Sequence, residues 1–151
     1  MDKPKRVFYP PVWLVLGLIT IFVLDQYLPL VRFSGQLATA AGSVAILLGL
    51  LLLVFAGGSF RQADTDMIPF REVRALVTDG VFRYTRNPMY LGMALILLGT
   101  SCTTGIVSGL AVPLLFVVII EFRFIRPEEE LLREQFGEDF EEYCRRVRRW
   151  L

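Results

Sequence analysis

The feature that most limits what this chain can fold into is a run of 20 residues, Leu37–Ala56, without one charged side chain. A helix rises about 1.5 Å per residue, so about 20 such residues cross the ~30 Å hydrocarbon core of a bilayer. Two further blocks share this character: Val12–Leu24 and Pro88–Ile120 are also free of charge. In a chain of 151 residues that is 54% hydrophobic, blocks of this kind mark an integral membrane protein rather than a soluble domain.

The charge pattern orients the blocks. A net charge of +1 offers no strong field for nucleic acid. Lysine and arginine gather at Lys3–Arg6, between Arg61 and Arg86, and from Arg123 onward, with only Arg32 elsewhere. If the three clusters share one side, the positive-inside rule makes that side cytoplasmic, with both termini on it and an even number of crossings. The basic start and Ala38-Thr39-Ala40 resemble a cleavable leader. That tripeptide lies too far beyond the first apolar run, so the run reads as a retained helix.

The expected fold is all-α, with about four membrane segments. A first helix runs from about Pro11 to Tyr27, opened by Pro10-Pro11. A second runs from about Gln36 to Ala56 and is stopped by Gly57-Gly58, and its small first half suits close helix packing. The third block holds a turn signal, Ser101–Gly105, and Pro113, so it reads as a short helical hairpin. Residues 58–87 form a polar connection whose apolar points (Met67, Ile68, Phe70, Leu76, Val77, Phe82) should fold against something. From Arg126 the chain changes character. Pro127, acids in the first turn and arginines in the last suit a helix dipole, and Leu131, Phe136, Phe140, Tyr143, Val147 and Trp150 recur at helical spacings. This segment reads as an amphipathic cytoplasmic helix with a break at Gly137. The chain thus divides into N-terminal transmembrane helices, 1–57, and a region 58–151 that carries the chemistry.

Two places concentrate that chemistry. In "GVFRYTRNPMYLG", Pro88 suits the first turn of a helix and Asn87 its N-cap, but Arg83, Tyr84, Arg86 and Tyr90 crowd the same entrance. A helix start with free N–H groups also attracts anions. In "EFRFIRPEEE", Arg126 and Glu130 stand four apart on one helix face, either as a surface ion pair or lining a cavity at the membrane boundary. Glu121 has Arg123 or Arg86 as candidate partners. The chain has no histidine, no glycine-rich nucleotide loop, and two cysteines in unlike surroundings. These features argue against a metal site, a disulfide framework and a hydrolase triad. A membrane enzyme built this way must use Arg, Glu, Tyr and Asn with a cofactor that brings its own reactivity.

The stretches "LVTDGVFRYTRNPMYLG" and "RPEEELLREQFGEDFEEYCRRVRRWL" together resemble the isoprenylcysteine carboxyl methyltransferase and phospholipid methyltransferase group of integral membrane methyltransferases. The likeness covers about Thr65 to the end; the first two helices match only as generic spans. It implies S-adenosylmethionine held without a Rossmann fold, in a pocket closed by cytoplasmic loops and tail. By position, Arg74, Ala75, Leu76, Val77, Phe82, Asn87, Pro88, Met89, Tyr90 and Glu130 would bind the cofactor, while Arg126, Glu130 and Tyr90 would serve the reaction. The implied partner is a membrane lipid or lipophilic small molecule that offers a carboxylate, amine or thiol.

Asn87 stands where the eukaryotic prenylcysteine enzymes commonly have histidine, and their extra N-terminal helices have no counterpart here. Both departures point away from a prenylated protein as substrate. Two other functions compete with methyl transfer: an NADPH-dependent membrane reductase of related architecture, and a non-catalytic membrane subunit.

Overall fold

A computed structural model describes residues 9–33, 35–62 and 75–151. The Lys3–Arg6 cluster, the apolar points Met67, Ile68 and Phe70, and Arg74 lie outside the described residues. Within them the regular elements are helical: α1 (Pro10–Tyr27), α2 (Gln36–Gln62), α3 (Pro88–Thr104), α4 (Ala111–Ile120), α5 (Arg126–Phe136) and α6 (Glu138–Arg146). A 3₁₀ turn, Gly80–Arg83, leads toward α3, and a second, Ser108–Leu110, leads into α4. A π turn, Glu121–Ile125, joins α4 to α5.

Three helical runs are long and apolar enough to cross a membrane: Pro10–Tyr27, Gln36–Arg61 and Ser108–Phe136. The apolar α3 is shorter, at 17 residues, or about 25 Å of rise. Three boundaries depart from the sequence reading. The second helix does not stop at Gly57-Gly58 but continues to Gln62. Tertiary contacts carry it through: Ala56 is buried beside Phe82, and the Phe60 ring meets that of Phe82 edge-on at 5.3 Å. Likewise α3 runs through Ser101–Thr104, where Ser101, Thr103 and Thr104 satisfy their hydroxyls on carbonyls of the preceding turn. Gly105, in the left-handed region at φ 70°, ends it. Finally, Pro127 does not start a new helix, since Ser108–Phe136 is one continuous run. Proline has no N–H for the carbonyl four residues back, and the π turn just before it, where the Arg126 N–H bonds the Glu121 carbonyl, widens the ladder enough to pass.

Helices α2 and α3 make the broadest helix contact, and glycine makes it possible. Gly49 faces Gly92, and seven residues away on each helix Gly42 faces Gly99. A β-carbon on Gly49 would stand 2.5 Å from the Gly92 carbonyl oxygen, and one on Gly92 2.7 Å from that of Gly49. In lipid such backbone approach replaces hydrophobic burial as the source of helix association. Outward side chains such as Leu47, Val54, Phe55, Leu114 and Val118 are exposed, as a lipid-facing surface requires. Inside, Ile21, Leu97, Ile106, Phe116, Ile120, Phe124 and Ile125 pack as one core.

The two ends of the bundle differ. At one, the α1–α2 connection pairs with the α3–α4 turn. Phe33 N–H donates to the Gly105 carbonyl (2.8 Å), Val107 N–H to Val31 (3.0 Å) and Ser108 Oγ to Leu28 (2.8 Å). The charged pair there is Arg32–Asp25, at 2.8 Å. At the other end, residues 75–87 meet the π turn, α5, α6 and the segment 147–150, and a second core of Ala56, Phe82, Phe140, Tyr143 and Val147 holds them.

Candidate functional site

Arg86 anchors the polar end. Its side chain is only 12% exposed, and its Nη2 donates to Glu129 Oε1 at 2.8 Å. Its Nη1 donates to the Val147 carbonyl at 2.6 Å, and its main-chain N–H to the Arg148 carbonyl at 3.0 Å. The adjacent residues grip the same segment: Thr85 Oγ1 (3.2 Å) and Asn87 Nδ2 (3.0 Å) both donate to the Arg149 carbonyl. Asn87 therefore occupies the N-cap position of α3, but its side chain makes no capping bond. The amide that would cap the helix is used to hold residue 149 instead. Pro88 and Tyr90 are buried in the first turn of α3 and Met89 is half-buried beside them.

From the other direction come the acids. Glu129, 9% exposed at its side chain, accepts from Arg149 through both carboxylate oxygens, Nε to Oε1 at 2.9 Å and Nη2 to Oε2 at 2.6 Å, besides accepting from Arg86. Glu121, at the start of the π turn, accepts from Arg149 Nη1 at 2.6 Å, from Arg126 Nε at 3.1 Å and from Trp150 Nε1 at 3.1 Å. Tyr90 donates to Glu128 Oε1 at 2.8 Å. Charges this close to apolar helices persist only when paired and hydrogen-bonded, as these are. Arg86 Nε is buried without a partner, which leaves one donor of the cluster available.

The same end holds a depression of about 290 Å³ lined by Thr78, Asp79, Arg83, Tyr143, Arg146 and Val147. Tyr143 Oη donates to the Phe82 carbonyl at 2.7 Å and fixes the 3₁₀ turn against α6. Burial pushes the Tyr143 phenol far above its ordinary range. Burial also raises the Cys144 thiol. Cys102 and Cys144 are both free. Among the described residues no three His, Cys, Asp or Glu side chains gather as a metal ion would need.

The sequence candidates are thus distributed unevenly. Phe82, Asn87, Pro88, Met89 and Tyr90 line or flank this end, with Ala75, Leu76 and Val77 half-buried beside them. Arg126 pairs with Glu121 rather than with Glu130, and its guanidinium lies 4.2 Å from the centre of the Phe122 ring. Glu130 is exposed, and the buried member of the triplet is Glu129. Sequence reasoning assigned no site role to Glu129, Arg149 or Trp150. For Glu129 a signal existed. It stands three and seven residues before Leu132 and Phe136, which pack on the second core, so helical periodicity puts it on the inward face. Arg149 carries no such signal, because the helical spacing of the sequence runs on to Trp150 whereas α6 ends at Arg146 and Val147 is extended, so the period does not show which way Arg149 faces.

The profile of the family described as Phospholipid methyltransferase matches residues 37–139. A protein-S-isoprenylcysteine O-methyltransferase from Schizosaccharomyces pombe is 38% identical over 73 residues, 48% of this chain and 30% of its own length. A probable protein-S-isoprenylcysteine O-methyltransferase from Oryza sativa subsp. indica is 32% identical over 99 residues, 64% of this chain and 50% of its own. An uncharacterized protein from Haemophilus influenzae is 39% identical over 64 residues, 42% of this chain and 100% of its own. The chain thus spans half or less of the length of the two methyltransferases it matches. The profile match takes in α2 to α5 and both the Arg-Asn-Pro entrance and the Arg126–Glu130 segment, and on that extent the chain belongs to the phospholipid methyltransferase family, in the group that includes the isoprenylcysteine carboxyl methyltransferases.

Proposed function

We propose that this protein is an S-adenosylmethionine-dependent methyltransferase acting on a lipophilic acceptor at the membrane face that carries the charged cluster. One observation carries the reading beyond family membership. The Arg-Asn-Pro entrance and the acidic segment, some forty residues apart in sequence, meet through Arg86–Glu129 and Tyr90–Glu128, each at 2.8 Å. The two halves of the family pattern form one polar surface against apolar helices, which is where a lipid-soluble acceptor and a charged cofactor can meet.

The residues present suit such a cofactor. The depression beside Tyr143 combines one carboxylate, two guanidiniums and two hydroxyls, a donor set that complements a zwitterionic amino acid and the hydroxyls of a nucleoside. Its 290 Å³ lies at the lower edge of the ~300–1,000 Å³ typical of small-molecule sites. When bound, S-adenosylmethionine supplies a methyl group on a sulfonium that is its own leaving group. The protein's task is then positioning and charge balance. Asp79 and Glu130 are carboxylates able to face the cofactor's cationic groups. By the family pattern, Arg74, Ala75, Leu76, Val77, Phe82, Asn87, Pro88 and Met89 would supply the remaining cofactor contacts. Arg126, half-exposed beside the apolar Phe122 ring, is placed to hold an anionic acceptor. Tyr90, held by Glu128, is a hydroxyl in the first turn of α3 that could pass a proton from an amine or thiol.

Calorimetry on the detergent-purified protein is expected to show S-adenosylmethionine or its demethylated product binding at micromolar levels, and NADPH not binding. The reverse result would establish the reductase instead, and binding of neither would leave a non-catalytic subunit. Glu130→Ala is expected to weaken cofactor binding about tenfold while the fold is kept, the scale of one lost charged hydrogen bond. Arg126→Ala should lower turnover more than cofactor affinity. A normal rate with an accepted lipid would remove Arg126 from the acceptor side.

A further inference from the structure

Arg149 is the residue through which three separate segments are joined. Its guanidinium spans two carboxylates: Glu129 on α5, by two bonds, and Glu121 at the start of the π turn. Its carbonyl accepts from both Thr85 and Asn87 at the entrance to α3. Only arginine can do this with one side chain, since its planar fork presents several donors in fixed directions, while lysine presents one compact charge. Glu121 is in turn the residue that holds Arg126, and Trp150, next in the chain, donates to the other oxygen of the same carboxylate. The other cation of the 147–150 segment, Arg148, is exposed.

We propose that Arg149 is a positioning residue for methyl transfer: by fixing Glu121 and Glu129 at once it sets where the π turn presents Arg126 to the acceptor. The proposal rests on the methyltransferase reading and adds to it a residue that acts through another. Without the Arg149 fork, Glu121 keeps the half-exposed Arg126 and the Trp150 indole, and the π turn and α5 lose the guanidinium that ties both to the 147–150 segment. The entrance side is affected less, because Asn87 and Thr85 bond the Arg149 carbonyl, and Arg86 bonds the Val147 and Arg148 carbonyls, none of which a side-chain change removes.

The chain has two tryptophans, so Trp13→Phe leaves Trp150 as the sole reporter of the segment. In that background Arg149→Gln is expected to shift the Trp150 emission to the red and raise its quenching by acrylamide, with Arg149→Lys in between. The exposed Arg145→Ala should leave both unchanged. Unchanged emission in Arg149→Gln would overturn the proposal at its structural step. In turnover, Arg149→Gln should lower kcat by about 10-fold to 100-fold, as small misplacements of a reacting group do, while cofactor Kd stays within about threefold. Arg149→Lys should recover part of the rate. Cofactor affinity and kcat falling together, or a lowered melting temperature with kcat intact, would show a structural tie only and overturn the positioning role. If the wild-type protein transfers no methyl group, the methyltransferase reading falls by itself, whereas the emission shift still decides whether Arg149 holds the 121–129 segment.

Discussion

Glu129→Ala is expected to lower folding stability by about 3–5 kcal/mol, the cost of removing one partner from a buried ion cluster. The side chain is 9% exposed and accepts from Arg86, itself 12% exposed, and from Nε and Nη2 of Arg149. Its removal strands the buried Arg86 guanidinium near an apolar core, while Arg149 keeps Glu121 as its counter-charge. The effect comes less from lost attraction than from stranded charge, so Glu129→Gln, which keeps an acceptor oxygen but not the charge, should recover only part of the loss. Glu130→Ala, one residue on and exposed, should stay within about 0.5 kcal/mol of wild type. Thermal unfolding in one mild detergent separates the two. Equal stability of Glu129→Ala and Glu130→Ala would mean that the cluster does not hold this end of the protein together. The pair also separates roles that adjacent glutamates hide in sequence: a fold-holding carboxylate at 129 and the expected cofactor contact at 130.

Gly99→Leu is the second large effect, at about 3 kcal/mol, the upper end of the range for overpacking. Its β-carbon would meet the Gly42 carbonyl oxygen, with Ile46 Cγ1 at 2.7 Å and Ile46 N at 2.9 Å. Most of that obstacle is backbone, which cannot rotate away as a flexible side chain can. Helices α2 and α3 would have to part, and with them the close contact that replaces hydrophobic burial inside lipid. Gly58→Ala is the contrasting substitution. Nothing stands within 4 Å of its β-carbon, and the residue is inside α2, so alanine should be neutral or stabilise by up to about 1 kcal/mol. Melting temperature and monodispersity in detergent read both. A Gly99→Leu protein as stable as Gly58→Ala would show that the helices have slack the close approach does not suggest.

Much of this was open to sequence reading, for local reasons. Charge-free blocks of sufficient length become apolar helices whatever surrounds them, because backbone bonding within the helix and side-chain hydropathy are properties of the block itself. Hence the helical class, the first two long helices and the start of α3 at Pro88 follow from the order of residues. So does the family, since "RNPMY" and "RPEEE" are recognisable as strings. Helix ends were less legible. Gly57-Gly58 and Ser101–Thr104 read locally as stops and Pro127 as a start, yet the chain stays helical through each: beside the Phe60–Phe82 contact, with the hydroxyls satisfied inside the helix, and by way of a π turn.

Only the tertiary structure decided which charges meet. Coulomb attraction is indifferent to sequence distance, and an arginine-rich tail opposite an acidic triplet admits many pairings. Spacing suggested Arg126 with Glu130, a neighbour on the same helix face. The folded chain instead pairs Arg126 with Glu121 and gives Glu129 to Arg86 and Arg149. What selects that set is burial. The second core seats Phe140, Tyr143 and Val147 against Phe82, which carries residues 147–150 across the entrance, and a carboxylate turned inward there can remain charged only beside guanidiniums. The sequence by itself thus determined that this is a helical membrane protein with a polar mouth. Which residues form that mouth was decided by packing, since the apolar contacts fix the backbone first and the charges must satisfy one another where it leaves them.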